Sequence, residues 1–219
     1  MIQSKKYNRT FHLPYSPGGT SDDKIATDLH YLLQNELVIT EKMDGSNTSL
    51  ELGGCFARTH AGPPNHPSFD SLKALHASIQ HKIPDGVQLF GEWLYAKHSI
   101  GYEKLPHHFM LFNVRSLLDN VWYSWEEIKM WAEELEVPTV PVLFEGRLTT
   151  EKDLRNKIEE LVEQPSACGG LREGVVVRLQ ESFTDSAFSK CVMKWVRKDH
   201  VQTSDHWRSQ IIIKNKLMI

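Results

Sequence analysis

Apolar residues recur at helical spacing in four stretches of the chain. In SDDKIATDLHYLLQ, residues 21 to 34, Ile25, Leu29, Leu32 and Leu33 follow a Ser/Asp start, which predicts an amphipathic helix. Leu72, Leu75 and Ile79 repeat the pattern over 68 to 82. Ser124 opens SWEEIKMWAEEL with Glu127 three residues on, the spacing of a capping box, and Leu154, Ile158, Leu161 and Val162 share one side of 150 to 163. Between these segments lie short β-prone runs: ELVIT (36 to 40), NTSLEL (47 to 52), GVQLFGEW (86 to 93), HFMLFNV (108 to 114), GVVVRL (174 to 179) and CVMKWV (191 to 196). Six strands and about four helices predict an α+β fold, an antiparallel sheet pair with helices packed outside. The turn-rich loops RTHAGPPNHPS (58 to 68) and GYEKLPHH (101 to 108) are expected to rim a cleft.

Composition narrows the function more than the fold. The chain has 219 residues, no internal repeat and no apolar run of transmembrane length, so one catalytic-size domain over 1 to 219, soluble and cytoplasmic, is the expectation, with no membrane partner. A formal net charge of -3 argues against coating a nucleic acid through bulk positive charge, so any such contact must be local. Three widely spaced cysteines, Cys55, Cys168 and Cys191, support neither a disulfide framework nor a zinc site, and His60, His98, His107, His108, His200 and His206 do not fall at zinc-ligand spacing.

The chemistry concentrates around EKMDGSN, residues 41 to 47, where Lys42 follows the run ELVIT and Asp44-Gly45 signals a tight turn. Alone, that pattern reads equally as a surface lysine at a hairpin. Downstream, in order, come Arg58, FGEW with Glu92, FMLFN with Phe112, REGVVVR with Glu173 and VMKWVR with Lys194. This ordered set resembles the covalent nucleotidyltransferase superfamily of polynucleotide ligases and capping enzymes. EKMDGSN, RTHAG, GEWLYAKHSI and KWVRKDHVQTSDHW are most similar to the ATP-dependent RNA ligase branch. The resemblance runs from Glu41 to about Arg197 and implies a nucleotidyltransferase fold, two antiparallel sheets with flanking helices around a nucleotide cleft.

It also implies the parts. Lys42 would take AMP from ATP and pass it to an RNA 5′-phosphate, which is then sealed to a 3′-hydroxyl. Lys194 and a divalent cation, Mg²⁺ or Mn²⁺, would offset charge on the α-phosphate. Glu92 would bind the ribose hydroxyls, Asp44 and Glu173 would engage the metal through water with Glu92 as a further candidate ligand, Phe112 and a valine of GVVV would sandwich the adenine, Glu41 would sit beside the base, and Arg58 would contact a 5′-phosphate or ribose. From spacing alone, Phe112 reads as a core residue. A free lysine, with a pKa near 10.4, is unprotonated in roughly one molecule in a thousand at neutral pH, so Lys42 is expected to be depressed by burial, the metal and Lys194.

Two positions depart from the family pattern. Its F-D is Phe112-Asn113 here, and the second cation of its last motif is open between Lys190, Arg197 and Lys198. A GTP-using capping enzyme, a DNA ligase and a nucleotide or RNA-end binding module that has lost the chemistry stand as alternatives. The chain ends about twenty residues past the last motif. No separate OB domain is therefore expected, and substrate grip would depend on a partner protein or on a short helix over VQTSDHWRSQIIIK. The amino-terminal stretch RTFHLPYSPGGTSDD reads as a turn followed by a helix cap.

Overall fold

The computed structural model describes residues 3–59, 62–198 and 212–218. Two sheets organise it. One holds five strands in the order β1 (Phe11–His12), β11 (Val192–Val196), β9 (Gly174–Leu179), β2 (Glu36–Lys42), β8 (Val142–Arg147). The other holds six, in the order β10 (Phe183–Thr184), β7 (Val121–Trp122), β6 (Phe109–Ser116), β5 (Val87–Trp93), β3 (Ser46–Glu51), β4 (Gly54–Ala57). Every pairing between these strands is antiparallel except β1 with β11, which run parallel. The expected α+β class and two-sheet architecture are both present.

The period of two along β2 explains how one strand serves two cores. Leu37 and Ile39 enter a cluster with Val175, Val177, Leu154 and Ile158, whereas Val38 enters another with Leu50, Leu89, Trp93 and Leu111. Both faces of the strand are therefore covered, and Leu37 through Glu41 are all buried.

Helices follow where caps and apolar stripes coincide. The helix α3 (Trp125–Glu134) begins with the full capping box between Ser124 and Glu127, so two otherwise unpaired amides are satisfied. In α4 (Glu151–Glu163), Thr150 accepts from Asp153 N–H, and Leu154, Ile158, Leu161 and Val162 are buried as the spacing predicted. The expected helix over 68 to 82 appears as α2 (Asp70–Ile79) flanked by single 3-10 turns.

The helix expected over 21 to 34 is mostly absent. Only α1 (His30–Leu33) is helical. Upstream, the backbone is spent on lateral pairing: His12 N–H donates to Lys24 O, Ala26 N–H donates to His12 O, and Asp23 Oδ2 accepts from Thr20 N–H and its hydroxyl. Local side-chain bonds of this kind compete with the helical ladder. A short helix, α5 (Phe188–Cys191), precedes β11. The expected carboxy-terminal helix over 201–214 falls largely on 201–211, outside the described residues. Residues 212–218 run extended beside the 95–105 loop, tied by Lys97 N–H to Ile213 O, Lys216 N–H to Tyr102 O and the buried Asn215 side chain.

Candidate active site

A cleft of about 960 Å³ is lined from both sheets and from the amino-terminal segment. Register places its floor. In the β2–β9 pair, Lys42 lies opposite Gly174 and Glu41 opposite Val175, so Glu173, one residue before β9, arrives beside Lys42 although 131 positions away in sequence. Lys42 Nζ donates to both Glu173 carboxylate oxygens, at 2.7 and 2.8 Å. The Lys42 side chain keeps 26% exposure while that of Glu173 has 4%, so the amine is at the cleft surface and its partner beneath it.

Gly45 ends the turn after Lys42. Its N–H donates to Glu92 Oε1 at 3.1 Å, and a Cβ there would meet Trp93 O at 2.7 Å, so only glycine admits the close approach of the turn to β5. This contact brings Glu92 into the cleft with Lys42. Asp44 is directed elsewhere: its Oδ2 accepts from Ile100 N–H at 2.7 Å and its own N–H donates to Tyr102 Oη at 2.8 Å, and it is not among the cleft-lining residues. Asp44 shapes the lysine turn in this structure.

The protonation states follow from this packing. Burial lowers the Lys42 ammonium, but the Glu173 and Glu92 carboxylates outweigh burial and hold its pKa above the ordinary lysine value. The depressed value expected from sequence is therefore not found, because the nearest charges to the amine are negative. Glu92 absorbs the cost: burial first, then the neighbouring Glu173 and Asp44 charges, push its carboxyl up to about 8 against the opposing pull of Lys42.

Phe112 reaches the cleft through a bulge. Phe90 pairs with Asn113 and the next residue, Gly91, with Leu111, so Phe112 has no opposite number and β6 kinks at that point. In an otherwise buried strand it is the half-buried residue, lining the cleft with Val176 of β9. Asn113, where the family pattern has an aspartate, is buried: its Oδ1 accepts from Arg178 Nη1 at 3.0 Å and its Nδ2 donates to Tyr7 Oη at 3.1 Å. The amide satisfies two partners there without adding a charge.

Glu41 is 1% exposed and lines the cleft; its Oε2 accepts from Ala167 N–H at 3.0 Å and lies 3.5 Å from Arg172 Nε, while its Oε1 is buried with no hydrogen-bond partner. Arg58 is exposed on the rim, and the loop that follows contributes Thr59; the 101 to 108 loop expected to rim the cleft does not line it. Lys194 lines the cleft from β11. Of the candidates for a second cation, Arg197 donates to Val162 O and Arg172 O, and neither it, Lys190 nor Lys198 lines the cleft.

Sequence reasoning missed Arg172 beside Glu41, Asp23 beside Lys194, His12 behind Asp23, and His98 as a cleft-lining residue. Asp23 lies 3.5 Å from Lys194, and His98 Nε2 lies 3.4 Å from Ser46 Oγ. An acid opposite the last lysine had no signal in spacing, since 171 positions separate them. Among the described residues no three acidic, histidine or cysteine side chains converge as a ready-made metal site, and no helix is long and apolar enough to cross a membrane.

The fold has counterparts among solved structures, and the sequence matches a family model. A search of solved structures finds the RNA ligase of Naegleria gruberi in several mutant forms: an apo point mutant matches with TM-score 0.59 at 15% identity over 90% of this chain and 57% of that one. A second mutant, with ATP and Mn, matches with TM-score 0.58 at 15% identity over 92% and 63%, and a third, also with ATP and Mn, with TM-score 0.55 at 18% identity over 84% and 57%. The chain thus spans under two thirds of the length of these ligases, and at such identity the likeness is one of fold. No curated protein matches the sequence at the level required of a relative. The RNA ligase family model, however, matches residues 35–196, from the start of β2 to the end of β11, so every strand except β1 lies inside it: the chain belongs to the RNA ligase family.

Proposed function

We propose that the protein is an ATP-dependent RNA ligase that carries AMP on Lys42, transfers it to an RNA 5′-phosphate and joins that end to a 3′-hydroxyl. The observation that carries this reading is a lysine amine at the cleft surface, bonded to Glu173 and sharing the cleft with Glu92, Lys194 and Phe112. In the first step the unprotonated Nζ attacks the α-phosphorus of ATP, forming a P–N bond as the P–O bond to pyrophosphate breaks. Glu173, 2.7 Å from Nζ, is the nearest acceptor for the proton the amine must lose. Lys194 stabilises the charge that grows on the phosphate oxygens. An RNA 5′-phosphate oxygen then attacks the same phosphorus, the P–N bond breaks, and Lys42 is regenerated. Attack of a 3′-hydroxyl on the activated 5′-phosphorus releases AMP and completes the phosphodiester.

The carboxylates fit a divalent cation. Burial first, then the Glu173 and Asp44 charges, lift Glu92 to about 8, so a cation is favoured beside it, and oxygen donors suit Mg²⁺ or Mn²⁺, which bind by one or two carboxylates plus phosphate oxygens and water. Glu92 and Glu173 would hold it, and bound there it would neutralise the triphosphate and lower the charge facing the amine.

Phe112 and Val176 supply two apolar surfaces for the adenine, and the unpartnered Glu41 Oε1 is an acceptor for its exocyclic amine. Guanine offers a carbonyl oxygen at the same place and would leave two acceptors facing. ATP is therefore expected to label the protein at least about a hundredfold better than GTP. Phe112→Ala should raise the KM for ATP by about tenfold, since one aromatic stacking partner contributes roughly 1–3 kcal/mol per base. The primary test is incubation with α-labelled ATP and Mg²⁺ or Mn²⁺, denaturing electrophoresis of the protein, then addition of 5′-phosphorylated RNA. A protein that takes up no label under either metal overturns the reading.

A further inference from the structure

The amino-terminal segment lies outside the family match yet lines the same cleft. It is stitched to β11 residue by residue. Phe11 and His12 pair with Met193 and Lys194, Leu13 N–H donates to Lys194 O, Gly18 N–H donates to Val196 O, and Val196 N–H donates to Ser16 Oγ at 2.9 Å. A Cβ on Gly18 would meet Arg197 O at 2.5 Å and Val196 O at 2.8 Å, so the segment approaches the strand as closely as a backbone can. The result is that Asp23, on the turn after this stitch, stands beside the Lys194 side chain: Oδ1 lies 3.5 Å from Nζ.

Asp23 is itself held from two sides. Its Oδ2 accepts from Thr20 N–H at 3.1 Å and from the Thr20 hydroxyl at 3.0 Å, and His12 Nε2 lies 3.4 Å from the same oxygen. His12 is 1% exposed; its Nδ1 is 2.8 Å from Ser16 Oγ, and its Nε2 makes no regular hydrogen bond, so that buried nitrogen is left facing the carboxylate. Burial and the Lys194 charge hold His12 neutral, with its pKa down at about 4. A neutral ring with the proton on Nε2 donates towards Asp23 while Nδ1 accepts from Ser16, which in turn accepts from the β11 backbone. The charged groups facing Lys194 are Asp23, Lys42 and Arg58, with Arg9 4.0 Å from Asp23 on its outer side.

We propose that Asp23, braced by Thr20 and His12, is a positioning residue that aims the Lys194 ammonium into the cleft, so that the amino-terminal segment completes the phosphate end of the site. The proposal rests on the ligase reading for its catalytic consequence, though not for its physical one. An ammonium has three N–H donors. One directed at Asp23 fixes the remaining two, and a separation of 3.5 Å leaves the charge available to a phosphate. Asp23 also opposes the burial and the neighbouring cations that depress Lys194, keeping it protonated.

The test uses the full chain and Asp23→Asn, which retains an oxygen for Thr20 but removes the charge. Lysines dimethylated with ¹³C-formaldehyde are titrated by NMR, the Lys194 signal being the one lost in Lys194→Arg. The Lys194 midpoint is expected to fall by roughly one pH unit in Asp23→Asn, with other lysine midpoints unmoved. In labelling by ATP, kcat should drop about tenfold with the KM for ATP within about twofold, the pattern of a group that acts on the transition state. An unmoved Lys194 midpoint overturns the proposal, as does a shifted midpoint with unchanged labelling kinetics. If the parent chain takes up no label at all, the ligase reading fails, and the titration alone decides whether Asp23 governs Lys194.

Discussion

Lys42→Ala, incubated with α-labelled ATP and a divalent metal, is expected to retain no label after denaturation, a loss of at least about 10⁴-fold in adduct formation. The proposed intermediate is a P–N bond to one nitrogen, and that nitrogen is gone. Removing Lys42 also strands Glu173, whose side chain is 4% exposed, beside the half-buried Glu92, so part of any loss in this variant would come from two acids deprived of their shared counter-charge. Lys42→Arg separates the effects. It keeps a cation opposite Glu173, yet a guanidinium is not deprotonated at accessible pH and cannot attack phosphorus. Its melting temperature should stay close to that of the parent while labelling is abolished. If pre-adenylylated RNA is supplied, the last joining step does not require the lysine nucleophile, so Lys42→Arg should still seal it. Label retained in either variant would place the covalent site elsewhere.

The raised pKa of Lys42 has a mechanistic meaning. Beside Glu173 and Glu92 the amine favours its protonated form, which on the proposed mechanism is the wrong state for attack. Activation must come from what arrives. A triphosphate alone would add negative charge and hold the proton tighter, whereas a divalent cation held by Glu92 and Glu173 would offset the carboxylate charge that stabilises the ammonium. Label uptake should therefore depend on the metal for deprotonation as well as for neutralising phosphate.

Much of this was legible in the sequence, and the misses have physical causes. Helices α3 and α4 announced themselves because cap and apolar stripe agree. The edge strand β8 did not: its residues are exposed or half-buried along their whole length, so VLFEGR carries no alternation, although it pairs with β2 across five positions. The segment from Ser21 shows helical spacing but is captured by β1 and by the Thr20–Asp23 turn, a long-range preference that overrides local propensity. At the site, motif order found Lys42, Glu92, Phe112 and Lys194, which the fold does bring to one cleft, and Glu173, which lies beneath it and accepts from Lys42. It gave no warning that Asp44 would turn to Ile100, or that Asp23 and His12 would join from the other end of the chain. Such contacts depend on register between distant strands, which no local pattern encodes.

Glu92→Gln is expected to make the ligand-free protein more stable in mild alkali while reducing label uptake by about a hundredfold or more. The sign follows from the raised carboxyl. Its folded pKa, about 8, lies above the ordinary value of 4.5, so between these limits the native state binds a proton that the unfolded chain has released. Its contribution to stability is complete below the unfolded value and is lost as pH rises through about 8. Above that, the parent chain must keep a charged carboxylate in a partly buried site next to Glu173, and the uncharged amide need not. Glutamine can still accept from Gly45 N–H, so the lysine turn is preserved. Discounted for partial solvent access, the gain at pH 9 should be about 1–2 kcal/mol, or several degrees in Tm for a chain of this size. Near pH 5 the two proteins should melt together. The loss of labelling has a separate origin: an amide cannot serve as an anionic ligand for the divalent cation, so the charge on the triphosphate is poorly offset and the ammonium of Lys42 keeps its proton. Thermal melts at pH 5 and pH 9 beside initial labelling rates check both halves. A variant no more stable than the parent at pH 9 would mean that Glu92 is already well solvated as a carboxylate, and a variant that labels at the parental rate would remove Glu92 from metal binding. Gain of stability with loss of activity at the same residue is the signature of a carboxylate kept in a costly place for the proposed reaction.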